Sequence, residues 1–272
     1  MRRTGLVALI GVVCALAVGC TTVTKGSATG PGQASGSGQP SGPESPTGNL
    51  SELSARIAHS SAQLKSVQGS LKLDAGPLTT DSTFRATLGG GAVTGMDQQV
   101  NTSFQGTQTK VHLIYVNQKI YVDRGQNGKP WIVATPQSSD PVAAQLAQTL
   151  PASLTQYGGK YYVLMMSAGH DLSVVGPDTV AGVACTRYHL IVDPKAFVQK
   201  LPASQRAQMQ AAIDAGVDSV PLDMWVDGQS RPVKTLVTLS VQGQSATSEY
   251  EQNHFDEPVT INPPPADQIG TS

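Results

Sequence analysis

The 272 residues include only three cysteines, four phenylalanines and two tryptophans, and charged residues make up just 14% of the chain. So few cysteines rule out a disulfide-stapled scaffold, and any folded body must be held by its own core, which a chain of this length can supply. Charge is as sparse in sign as in number, with 18 basic residues against 19 acidic. There is no basic stripe interleaved with aromatics, so no nucleic-acid partner is expected, and no basic cluster that would draw the chain to anionic head groups. H-E-x-x-H, C-x-x-C, G-x-S-x-G, S-x-x-K and the Walker loop are all missing. No spacing brings two of the five histidines, His59, His112, His170, His189 and His254, onto one helical face. Neither enzymatic activity nor a cofactor is therefore expected, although a triad assembled only in space leaves no such trace.

What is present begins with Arg2 and Arg3, followed by an apolar, glycine-containing run from Leu6 to Val18 that stops at Gly19. This is the charged and apolar pattern of a secretory signal, and the run falls short of the roughly 20 apolar residues that cross a bilayer. Ala17-Val18-Gly19-Cys20 resembles the bacterial lipobox. Such a motif implies diacylglycerol on the Cys20 thiol and cleavage before it, because only a thiol at the new N-terminus can carry the thioether. Ala17 stands where leucine is commoner. Cleavage removes Cys14, Arg2 and Arg3, leaving 16 basic residues against 19 acidic and Cys185 without a partner. Within "VAGVACTRYHLIV", Cys185 reads as a small buried hydrophobe.

From Thr21 to Gly48 the chain is almost wholly Gly, Ser, Thr, Pro, Gln and Ala, a composition that cannot offset its ordering entropy. It reads as a disordered tether with an end-to-end distance of roughly 30 Å. The body opens with Leu50, Leu53, Ile57, Ser61, Leu64 and Val67 at helical spacing. Alternating, β-branched segments then run to "KVHLIYVNQKIYVDR", with Gly89 to Gly91 and Asn117-Gln118 as hairpin turns. A helical region after Trp131 is expected in two pieces, interrupted by Pro151 and Gly158-Gly159, with Asp140 as its cap. Strands return in "DLSVVGPDTVAGVACTRYHLIVD", with a turn expected at Gly176-Pro177-Asp178. A helix from Pro194 to Ala215 should break near Pro202, before a hairpin at Asp227-Gly228 and an extended "PVTINPPP". Together these give an α+β class: one large antiparallel sheet with helices on one face.

"VAGVACTRYHLIVD", "VPLDMWVDGQSRPVK" and "FDEPVTINPPP" resemble segments of the actinobacterial LppX/LprA/LprF/LprG lipoproteins. Cys185-Thr186-Arg187-Tyr188 departs from the Thr-Thr-His-Tyr commoner in that family. The resemblance implies a LolA/LolB-like fold, a single curved antiparallel half-barrel with helices on its concave face around an apolar cavity. It also implies binding of an acylated lipid or glycolipid and its transfer across the envelope, with a membrane exporter as a possible partner. On this reading residues 1–19 are a lipoprotein signal peptide and 20–48 the lipidated cysteine and tether. Residues 49–265 form the lipid-binding domain, and 266–272 a flexible tail. Val111, Leu113 and Tyr115, continued across the turn by Ile120 and Val122, are the candidate cavity wall. Tyr162, Met165 and Met166, in the "YYVLMM" block, are candidates for a movable lid, although an ordinary core would use the same residues. An envelope sensor or interaction protein on the same fold is the alternative.

Overall fold

A computed structural model describes residues 46–123, 128–201, 203–241 and 243–270. Cys20, the signal segment and the tether up to residue 45 lie outside the described residues.

Helix α1 (Leu50–Gln63) starts where the Asn49 side chain accepts from the Glu52 amide, and it buries Leu53, Ile57 and Ser61 at a spacing of four. The expected stripe is cut short, because Val67 already belongs to strand β1 (Ser66–Ala75). Hairpins then lead through β2 (Leu78–Gly89), β3 (Ala92–Phe104), β4 (Thr107–Val116) and β5 (Lys119–Asp123) to β6 (Trp131–Ala134). Sequence reading missed β6, although "WIVA" is apolar and β-branched enough to suggest it. Helices α2 (Pro141–Ser153) and α3 (Gly159–Met166) flank a 3-10 turn at Leu154–Tyr157. Pro151 lies inside α2 rather than ending it. Pro151 cannot donate to the Ala147 carbonyl, and the chain tightens into the 3-10 turn three residues later.

A second meander contains β7 (Gly169–Val180) and β8 (Val183–Val192), then β9 (Val220–Asp227), β10 (Pro232–Val241) and β11 (Gln244–Asn253). Between β8 and β9 lie α4 (Pro194–Lys200) and α5 (Ala203–Asp214), split where the break was expected. The turn expected at Gly176-Pro177-Asp178 is not there. β7 runs through it, Pro177 pairs with Thr186, and a register shift between Val174 and Gly176 absorbs the irregularity. Proline is tolerated because β7 is the outermost strand. The reversal instead uses Ala181 and Gly182, both at positive φ.

With a short last strand β12 (Ile269–Gly270), the twelve described strands form one sheet in the order β12-β6-β5-β4-β3-β2-β1-β11-β10-β9-β8-β7. The two meanders meet at an antiparallel β1 to β11 seam, with Leu71 opposite Tyr250. A sheet this wide curls, and its concave face carries the helices. The segment from Phe255 crosses the convex face, starting at Lys65 and Ser66, where the Asp256 amide donates to the Ser66 carbonyl. It ends in β12 (Ile269–Gly270), which pairs parallel with Trp131 and Ile132 of β6. Residues 266–270 are therefore not the free tail that was expected. Ile261 and Ile269 cover Ile114, Tyr121 and Trp131, which would otherwise face water.

Over β7 to β11 the concave face is largely filled, apart from an open and more polar recess of about 180 Å³ beside Arg56, Thr186 and Asp227. Leu53 and Ile57 of α1, Tyr162, Met165 and Met166 of α3, and Phe197 of α4 pack on Leu190, Leu222, Met224 and Leu239. Here α1 and α3 cross closely: a β-carbon added at Gly159 would lie 1.9 Å from the Ser61 Cβ. Gly159→Ala should therefore destabilise the fold by about 1–3 kcal/mol, read by urea denaturation. Adding Ser61→Gly should restore part of that loss, and an additive double mutant would show that the contact is not the cause.

Candidate ligand cavity

The other half of the concave face is not filled. Between β1 to β4 and α2 lies a cavity of about 210 Å³. Helix α2 is set over it by its cap, where the Asp140 side chain accepts from the Ala143 amide at 2.9 Å, with Pro141 pre-shaped for the first turn. From that start Val142, Leu146 and Leu150, four residues apart, present one apolar row to the cavity. The opposite wall comes from alternate strand residues on the concave face, Leu73, Leu78, Val100, Val111 and Leu113. Outward along β3 the same face continues through Thr102 to Phe104, which is 42% exposed at the rim.

On the α2 side Gln145, Thr149 and Ser153 also border the cavity, and on the sheet side two polar points interrupt the apolar lining. Near the rim the Thr80 and Thr102 hydroxyls lie 3.2 Å apart. At the inner end Gln98, 3% exposed, donates through Nε2 to the Tyr157 hydroxyl at 2.8 Å and to the Ser82 hydroxyl at 3.2 Å. Beyond it the cavity is stopped by an aromatic partition. Tyr157 meets Phe84 edge-on with centroids 4.9 Å apart, and Phe84 stacks on Tyr250 at 5.4 Å. Tyr162 of the filled half approaches Tyr250 from the other side at 6.5 Å. Gly69 makes room for this stack, since a β-carbon there would lie 2.7 Å from the Phe84 ring.

Val111 and Leu113 line the cavity. Tyr115, Ile120 and Val122 share their face, with Tyr115 opposite Ile120 and Leu113 opposite Val122. They lie beside the cavity, in the packed cluster that Leu150 and Leu154 close. Tyr162, Met165 and Met166 belong to the filled half and form no lid; the helix over the cavity is α2. The Val142, Leu146, Leu150 row was visible in the sequence as an i, i+4, i+8 stripe. Gln98 and Tyr157 carried no signal, because a single amide and a single phenol gain meaning only from what they face.

Asp140 caps α2 as expected, and Cys185 is buried with its thiol 3.2 Å from the Val183 carbonyl. Among the described residues no group of three or more His, Cys, Asp or Glu side chains could hold a metal ion. No described helix is long and apolar enough to cross a membrane.

An open, curled antiparallel sheet with its helices gathered inside the curl is the LolA-like half-barrel. Within that class, the chain has the fold of the lipoprotein LprF from Mycobacterium bovis. The TM-score is 0.52 at 14% identity, over 81% of this chain and 99% of that one. The lipoprotein LppX from Mycobacterium tuberculosis aligns over 78% of this chain and 98% of its own, with a TM-score of 0.49 and 13% identity. No family model matches the chain, and no curated relative matches it.

Burial pushes the Tyr157 phenol up to about 12, partly opposed by the Gln98 hydrogen bond, and pushes Tyr162 higher still. An unfolded tyrosine ionises near 10, so above that pH the unfolded chain releases protons that the folded chain retains. The contribution of Tyr157 to stability should be intact below about pH 10 and fall away between there and about pH 12. In an alkaline titration part of the phenolate absorbance should then rise together with the loss of far-ultraviolet circular dichroism. Complete ionisation with the fold intact would show that these phenols reach solvent.

Proposed function

We propose that the chain is an envelope lipoprotein, anchored through acylated Cys20 at the extracytoplasmic face of the cell membrane. It binds the acyl chain of a membrane lipid or glycolipid beneath α2 and helps to move that lipid across the envelope, with a membrane exporter as a possible partner. The cavity carries this reading: an apolar space on the concave face of a sheet whose other half is closed by its own side chains. At about 210 Å³ it falls below the roughly 300–1,000 Å³ typical of sites that enclose a drug-sized ligand. It suits one stretch of chain, with the head group left at the rim beside Phe104. Relative to water each buried methylene is stabilised by about 0.8 kcal/mol, in the cavity as in the bilayer. Transfer of a chain from a bilayer therefore exchanges one apolar surrounding for another, and neither an energy source nor a covalent step is required. The tether raises the concentration of the site at the membrane that supplies the ligand.

The filled half of the concave face fits the alternative, an envelope sensor or interaction protein that carries no cargo. Native mass spectrometry of the full chain bearing Cys20→Ser, purified from a lipid-rich actinobacterial host, separates the two. A co-purified acyl lipid and uptake of a fluorescent acyl lipid support the carrier, and the absence of both removes it. Val100→Trp, which places an indole in the cavity, should abolish uptake with little change in Tm; uptake at the wild-type level would show that the lipid binds elsewhere. The anchor is tested separately: palmitate labelling and membrane association should both be lost in Cys20→Ser.

A further inference from the structure

The inner end of the cavity is not built for a plain hydrocarbon. Gln98 lines the inner end of the cavity with Val100, Leu113 and Leu150, where a leucine would continue the apolar side chains of β3 and β4. Its Nε2 is used twice, on Tyr157 and Ser82, while its Oε1 has no partner among the described residues. The Tyr157 and Ser82 oxygens both accept from Gln98, and neither hydroxyl proton finds an acceptor among them. Of these groups Gln98 and Tyr157 line the cavity, so one acceptor and one donor are left open towards it. Reversing the Gln98 amide exchanges the roles: the amide then offers the donor and the Tyr157 oxygen the acceptor. Either way the missing complement is a group that donates once and accepts once, which a hydroxyl does and an ester carbonyl or a methyl does not.

Position along the strand says where on a ligand that hydroxyl must be. Gln98 lies four residues inward from Thr102 on the same face, about 13 Å at the rise of a strand. Met96, the next residue inward on that face, is wholly buried, and the Phe84 and Tyr157 rings close the way. A charged head group would remain outside this apolar passage. A chain therefore enters with its far end first, and that end stops at Gln98.

We propose that the cavity selects an acyl chain with a hydroxyl at or near its distal end, through Gln98 and Tyr157. This rests on the lipid-binding reading and narrows it to a substrate class. Leaving the two groups unpaired under a plain chain should weaken binding by about tenfold.

The test titrates the full chain bearing Cys20→Ser with dodecanoate and with 12-hydroxydodecanoate by isothermal calorimetry. The hydroxylated chain should bind about tenfold more tightly, and Gln98→Leu should abolish or invert that preference. Tyr157→Phe, which removes only a hydroxyl, should reduce it and serves as the second variant if Gln98→Leu does not fold. Equal affinity of the two chains for the unmutated cavity overturns this inference alone and leaves lipid binding standing. A preference that survives both substitutions also overturns it, because the hydroxyl is then read elsewhere. Binding of neither chain overturns the lipid-binding reading with it.

Discussion

Everything on the concave face is arranged around the stack of Phe84 on Tyr250 at the seam between the two meanders. The stack stands where β1 joins β11, so each meander has its own interior. On one side four helices supply enough large side chains to fill the space. On the other a single amphipathic helix spans the curl. The lone helix and the cavity are one fact, since a strip of residues along one helix cannot reach every part of a curved surface. Gly69 permits the arrangement, because any side chain at that position would displace the Phe84 ring.

The polar groups nearby follow the same logic. The phenol oxygens of Tyr157 and Tyr250 accept from Gln98 and Gln252, so the partition is tied into its surroundings by hydrogen bonds rather than being a loose aromatic pile. Such a wall resists collapse into the neighbouring space better than aliphatic packing would, because moving either tyrosine ring would break its hydrogen bond. The cavity thus has a fixed inner wall.

Much of this architecture was legible in the sequence. Strand alternation, the Asn117-Gln118 turn, the Asp140 cap and the split near residue 202 follow from local chemistry that acts over a few residues. The alternation also put Val111, Leu113, Tyr115, Ile120 and Val122 on one face. It could not say that only the first two border empty space, since that depends on how far α2 reaches. The Tyr and Met block from Tyr161 to Met166 shows the same limit. Its composition suits a core as well as a lid, and the crossing of α1 over Gly159 decides for the core. Pro177 misled for a related reason: proline usually marks a turn, but at the outer edge of a sheet it can sit within a strand.

The segment after Phe255 bears on how the half-barrel can move. It is tied to the start of β1 by Asp256, which also accepts from the Lys65 amide at 2.7 Å. It then crosses the back of β2 to β5 through the Pro263-Pro264-Pro265 run and ends paired to β6. A proline-rich chain of this kind has little slack. It acts as a strap along the outside of the arc, pinned at the seam and at the far edge. Tighter curling of the sheet would stretch this strap, so residues 256–270 limit how far the trough can narrow.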